Sequence, residues 1–215
     1  MNIQTSGPAT ARSIENTSAL APGTLWPWDP SPKGDVEFSF NMQDQVVMAP
    51  ATTIVKGVQG GVYTEQVELR DHKPKATNGK YVFDAASTEF HAAQSFAAVA
   101  RTVETFATAL GQKIPWAFGG ARLGIHPDGG EDLNAYYARD DASLNFFHEK
   151  DSVTGKTVYT ADSGEVVAHE AGHAILDAMR PDYFQAWSAD AGAFHESFGD
   201  VTAIIMNLLD GPTRA

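Results

Sequence analysis

Apolar residues recur at steps of three and four along residues 87–110, STEFHAAQSFAAVARTVETFATAL, where Phe90, Phe96, Val99, Val103, Phe106 and Leu110 align. That period predicts an amphipathic helix with those residues on its buried stripe, and Gly111 is a natural stop. A second helix is predicted from about Ser163 to Met179. Asp162, followed three residues later by Glu165, resembles a capping box with Asp in the usual Ser or Thr position, and Arg180-Pro181 ends the segment. A third helix is predicted from about Asp190 to Leu209. Phe194, Phe198, Val201, Ile205 and Leu208 form its apolar stripe, and Asp210-Gly211-Pro212 stops it.

Elsewhere the pattern alternates instead. VEFSF (36–40) and VYTEQVEL (62–69) read as strands, with Gly57, Gly60 and Gly61 turning the chain between them. YVFD (81–84) and the stretches near 114–118 and 121–126 read as further short strands. NAYYARDDASLNFF (134–147) reads as a hairpin with Arg139-Asp140-Asp141 near its turn, where the two aspartates are simplest as turn residues. Strands come first and helices later, which predicts an α+β fold: a strand-rich N-terminal lobe followed by helices. Residues 1–33, rich in Ser, Thr, Pro, Ala and Gly, read as an irregular arm whose Trp26 and Trp28 dock on the body, and 34–215 as one domain. No internal repeat is visible.

Charge and cysteine usage narrow the chemistry. Asp and Glu total 27 against 15 Lys and Arg, a net charge of -12. An acidic surface repels phosphate backbones, so nucleic acid is excluded as the expected partner, whereas a hard cation such as Ca2+ suits it. The chain has no Cys, so any metal must be held by His, Asp and Glu. No stretch approaches 18 apolar residues and the N-terminus lacks the apolar core of a signal peptide, so no membrane partner is expected. A protein that stays in the cytoplasm or leaves by another route is the expectation.

The residues VVAHEAGHAIL hold the candidate chemistry. His169 and His173 are four apart, hence on one helical face, with Cβ atoms roughly 5–6 Å apart. That spacing lets both imidazoles meet one Zn2+ ion, while Glu170, beside the first ligand, can reach a water at the metal. The bland alternative is an exposed helix with ordinary polar residues. It fits poorly with the flanking Val166, Val167, Ala168, Ala174, Ile175 and Leu176, because imidazoles on so apolar a helix are costly unless paired or ligated. A catalytic zinc needs a third protein ligand and an open fourth position. A metzincin would place Gly at 176 and His at 179, where this chain has Leu and Met. The third helix offers AFHESFGD. Glu196 is the preferred third ligand, because Asp200 lies on its face and can accept the second ring N–H of a ligating His. His195 is the competitor, about 100° around the helix from Glu196.

With VVAHEAGH, GAFHESFGD and, more loosely, NAYY, the chain resembles the thermolysin-like (gluzincin) metallopeptidases over about residues 134–210. The resemblance implies a zincin-like catalytic domain, zinc on His169, His173 and Glu196 (the His-His-Glu set for which thermolysin is known), and Glu170 as general base. It implies that Asp200 orients a ligand His. It also implies that the backbone of Asn134 and Ala135, on an edge strand, pairs with a peptide or protein substrate. The family places an oxyanion-stabilising Tyr between the two helices, and Tyr183 is the nearest residue here. Glu165 stands where one acidic ligand of a family Ca2+ site falls, and also serves simply as a helix-start residue. The family's C-terminal helical lobe has no counterpart before Ala215, so the resemblance implies a missing lobe or a partner that completes the site.

The function expected is therefore a zinc-dependent endopeptidase. Two rivals stand beside it: a non-catalytic zinc-stabilised domain or pseudoenzyme, and an acidic binding module. His91 is expected to be a satisfied helix histidine. His126 and His148, near strand ends, are expected either in loops or along the cleft.

Overall fold

Lys33–Phe40 (β1) and Ala51–Gln59 (β2) form an antiparallel pair, with a bulge between Gly34 and Val36. The computed structural model describes residues 31–43, 50–186 and 188–211, so most of the predicted arm, including Trp26 and Trp28, lies outside the described residues. Alternation in β1 buries Val36, Phe38 and Phe40, and β2 contributes Val55 and Val58 from the same side. Phe38 is packed between Tyr81 and Phe96, with ring centroids at 4.7 and 5.1 Å.

A four-stranded sheet follows, in the order β3-β4-β6-β5, where β3 is Val67–Leu69, β4 Leu123–His126, β5 Ala135–Ala138 and β6 Ser143–Phe146. β3, β4 and β6 run parallel and β5 is antiparallel to β6, which leaves β5 at an edge. His148–Lys150 (β7) and Thr157–Tyr159 (β8) make a separate hairpin. The helices are α1 (Thr88–Leu110), α2 (Gly164–Met179), the one-turn α3 (Pro181–Phe184) and α4 (Ala189–Leu209). The protein is thus α+β. Among the described residues no helix is long and apolar enough to cross a membrane.

α1 is the central packing element. Ser87 caps its N-terminus by accepting from the Phe90 N–H, and Gly111 ends it in the left-handed region at φ 68°. Phe90, Phe96, Val99 and Val103 are buried as the period predicts, whereas Leu110 is exposed. His91 is satisfied: its Nδ1 lies 2.6 Å from Asp162 Oδ1 and its ring stacks on Tyr159 at 3.7 Å. Asp162 is therefore engaged elsewhere and does not cap α2. Ser163 does, accepting from the Val166 N–H, so the expected Asp162 and Glu165 capping box is not formed.

Several strand expectations are corrected. Within 62–69 only Val67–Leu69 is a strand, because a turn at Thr64 folds Tyr63 back to bridge Glu68. Tyr81 makes one bridge to Phe38 without a strand over 81–84. Residues 114–118 form a loop whose backbone is held at Ile114 by both ends of the Gln66 side chain. Gly57 does not separate two strands. It sits inside β2 at φ 68°.

The stripe expected for α4 is not the face it buries. His195, Gly199, Thr202 and Met206 point inward, Phe198 is half-buried, and Phe194, Val201, Ile205 and Leu208 are exposed, Leu208 to 59%. α4 is apolar around most of its circumference, and close approach to α2 decides which side turns in. A Cβ added at Gly172 of α2 would lie 3.1 Å from Gly199 Cα and 2.9 Å from Thr202 Oγ1. Small residues on both helices let the backbones meet there.

Candidate metal centre

On α2, His169 and His173 project one turn apart, with ring centroids 4.7 Å apart and planes at 87°. Glu170 lies between them in sequence and is 7% exposed. One ligating atom each from His169, Glu170 and His173 fall within 4.8 Å of one another, the one such His/Asp/Glu group among the described residues. Glu196 stands outside that tight group but sends a different carboxylate oxygen to each imidazole. Its Oε2 lies 3.5 Å from His169 Nε2 and its Oε1 3.8 Å from His173 Nε2. Two ligands at about 2.0–2.1 Å from a tetrahedral Zn2+ are about 3.3–3.4 Å apart, so the 3.5 and 3.8 Å separations are somewhat longer than one ion requires and are made by different oxygens of the carboxylate.

Tautomer and charge fit as well. Asp200 Oδ1 lies 3.0 Å from His169 Nδ1, an acceptor that favours a proton on that nitrogen, and His169 Nε2 faces Glu196. A lone pair opposite a carboxylate needs a cation or a proton between them. Burial lowers His173 to about 4, and neighbouring His169 pushes the same way, so this imidazole is neutral at pH 7. Burial also lowers His195. Neutral imidazoles are the form that binds a metal.

Burial raises Glu170 to about 7. His169 and a hydrogen bond from the Tyr137 backbone oppose the rise, and the charge of Glu196 adds to it. A carboxyl raised on folding stabilises the folded state in acid. In the metal-free protein that stabilisation is complete below the unfolded value of 4.5 and is lost as pH climbs through about 7. We expect chelator-treated wild type to lose on the order of 3 kcal/mol relative to Glu170→Gln between about pH 4 and about pH 8, measured by urea unfolding. Parallel curves for the two proteins would remove the basis for a perturbed carboxyl.

Gly199 makes room for the His169 ring. A Cβ there would sit 2.8–2.9 Å from His169 ring atoms. Gly199→Ala is expected to push that ring away from Asp200 and Glu196 and to weaken zinc binding about tenfold or more, read by competition with a chromogenic chelator. Unchanged affinity would mean the ring has slack that the packing does not reveal.

β5 borders the site. The Tyr137 backbone bonds Glu170, so the free edge of β5 faces α2. The Ala135 N–H donates to the Asn134 side-chain oxygen at 2.9 Å, and the Asn134 carbonyl accepts from Thr160 Oγ1 at 2.9 Å. Asn134 precedes β5, and its carbonyl is already engaged by Thr160. A cavity of about 700 Å³ lined by Ala135, Tyr136, Tyr183 and His195 opens on one side of His169 and Glu170. Another, of about 710 Å³, lined by Leu133, Asn134, Asp200 and Ile204, opens on the other. Tyr183 on α3 shares the first cavity with both imidazoles, its ring edge-on to Phe194.

Other candidates fall elsewhere. Glu165 accepts from Asn207 Nδ2 at 2.8 Å, and among the described residues no second cluster of ligating acids gathers around it. His126 pairs with Asp71 and His148 with Asp128, and neither lines these two cavities.

Sequence reasoning missed the group that joins β5 to α2. Asp177, wholly buried, accepts from Tyr137 Oη and Arg139 Nε, each at 2.8 Å, and pairs with the second arm of the same guanidinium. Arg139 also donates to the Pro181 carbonyl at 2.8 Å and covers the Phe184 ring at 4.5 Å. The available signal was a carboxylate four residues after His173 on an apolar helix, which had to have a partner. No protein-family model matches the chain, and no curated protein matches it either.

Proposed function

We propose that the chain is a zinc-dependent endopeptidase of the thermolysin-like, zincin type, with zinc held by His169, His173 and Glu196. The observation that carries this reading is the reach of Glu196 from a separate helix to both imidazoles at 3.5 and 3.8 Å, with Asp200 fixing one of them. When bound there, zinc supplies Lewis-acid activation of water and of the scissile carbonyl.

The chain's own residues do the rest. An extended peptide lies along the edge of β5, near Asn134 and Ala135, where it displaces the Asn134 side chain from the Ala135 N–H and is positioned by strand addition. Glu170, desolvated and beside the ligands, takes a proton from the attacking water and returns it to the leaving amine. Tyr183, on the wall of the same cavity, donates toward the carbonyl oxygen as negative charge develops. The exposed apolar face of α4 supports a further lobe or partner that covers it and completes the cleft. That same exposure favours the second reading, a zinc-stabilised domain without turnover.

The test is metal analysis of the purified chain, followed by cleavage of an unstructured protein with and without 1,10-phenanthroline. One zinc per chain and chelator-sensitive cleavage restored by zinc are expected. Zinc without cleavage favours the second reading, and absence of zinc sinks both.

A further inference from the structure

The two ligand imidazoles are not equally supported. His169 Nδ1 has Asp200, whereas His173 Nδ1 is buried with no hydrogen-bond partner among the described residues. One other ring nitrogen shares that condition, His195 Nε2. The rings of His173 and His195 are neighbours, with centroids 5.7 Å apart and planes inclined by 38°. An N–H···N bond between two imidazoles needs a centroid spacing only slightly shorter than this. Two buried polar atoms left unpaired on neighbouring rings are costly, and pairing them with each other removes both costs together.

We propose that His195 is a positioning residue for the metal site, its Nε2 accepting the Nδ1–H of His173 so that His173 Nε2 is held toward the ion. This rests on the zinc reading above. It gives α4 three consecutive duties toward α2: His195 sets one ligand, Glu196 is itself a ligand, and Asp200 sets the other. It also accounts for a buried histidine next to Glu196 that is not part of the 4.8 Å ligand group.

The test compares the full chain with His195→Leu, His195→Ala and His195→Asn, by zinc affinity in competition with a chromogenic chelator and by thermal unfolding of the metal-free forms. Loss of an acceptor behind a ligating His weakens metal binding about 10–100-fold, so Leu and Ala are expected to fall in that range. Asn, whose side-chain oxygen can accept the same N–H, is expected to recover most of the affinity. Metal-free His195→Leu and His195→Ala are expected to melt below wild type, because each leaves the buried His173 Nδ1–H without an acceptor, whereas His195→Asn is expected to melt near wild type. A merely structural role would give Asn no advantage over Ala in either quantity. The proposal is overturned if Leu and Ala bind zinc within threefold of wild type, or if Asn is as weak as Leu. Should Leu fail to fold, the Ala and Asn pair decides. Wild type that takes up no zinc would instead sink the metal reading itself.

Discussion

Glu170→Gln is expected to lower the rate of peptide hydrolysis by about 10²–10⁴-fold while the protein keeps one zinc and its fold. Gln matches Glu in shape but cannot accept a proton from water at neutral pH. The size of the effect follows from the setting. Glu170 is nearly buried, burial raises its carboxyl to about 7 in the metal-free protein, and one of its carboxylate oxygens lies within 4.8 Å of a ring nitrogen of each imidazole. A base poised near the working pH combines readiness to accept a proton with readiness to release it. The measurement is kcat/KM on a peptide substrate alongside zinc content. Turnover at the wild-type rate would show that another group takes the proton.

Asp177→Ala is expected to destabilise the metal-free protein by about 3–5 kcal/mol, the cost of removing one partner from a buried charge pair. The substitution strands the Arg139 guanidinium and the Tyr137 hydroxyl together, and both belong to the β5 hairpin. Urea unfolding measures the loss. Arg139→Met combined with Asp177→Leu is expected to recover much of it, because an apolar pair leaves no orphaned charge. A loss below about 1 kcal/mol for Asp177→Ala would mean that water reaches Arg139 and replaces the carboxylate. The consequence for the site is direct, since the same residues hold β5 against α2 where substrate is proposed to lie.

The parts of this arrangement legible in the sequence are those set by local spacing. Four-residue steps along 87–110, 164–179 and 189–209 locate the helices, and the same step brings His169 and His173, then Glu196 and Asp200, onto shared faces. The hairpin of β5 and β6 is legible from its alternation and acidic turn. What is not legible depends on distant partners. Asp177 meets Arg139 across 38 residues, and nothing in either local pattern names the other. The parallel alignment of β3, β4 and β6 is likewise non-local. α4 misleads because apolar residues occupy most of its circumference, so hydrophobicity alone cannot choose its inner face. Two glycines make that choice. Gly57 misleads in the opposite way, since its positive φ reads as a turn but is accommodated inside β2.

The hollows on either side of His169 and Glu170 share Ala135 as a common wall, so the groups proposed to be catalytic stand midway along a trench and not at its closed end. A polypeptide laid in such a trench is gripped both upstream and downstream of the severed link. Nothing in that geometry needs a free terminus, so scission would fall in the interior of a chain, and a stretch of substrate must first be pulled straight to fit. Tightly folded proteins would then resist until some loop loosens.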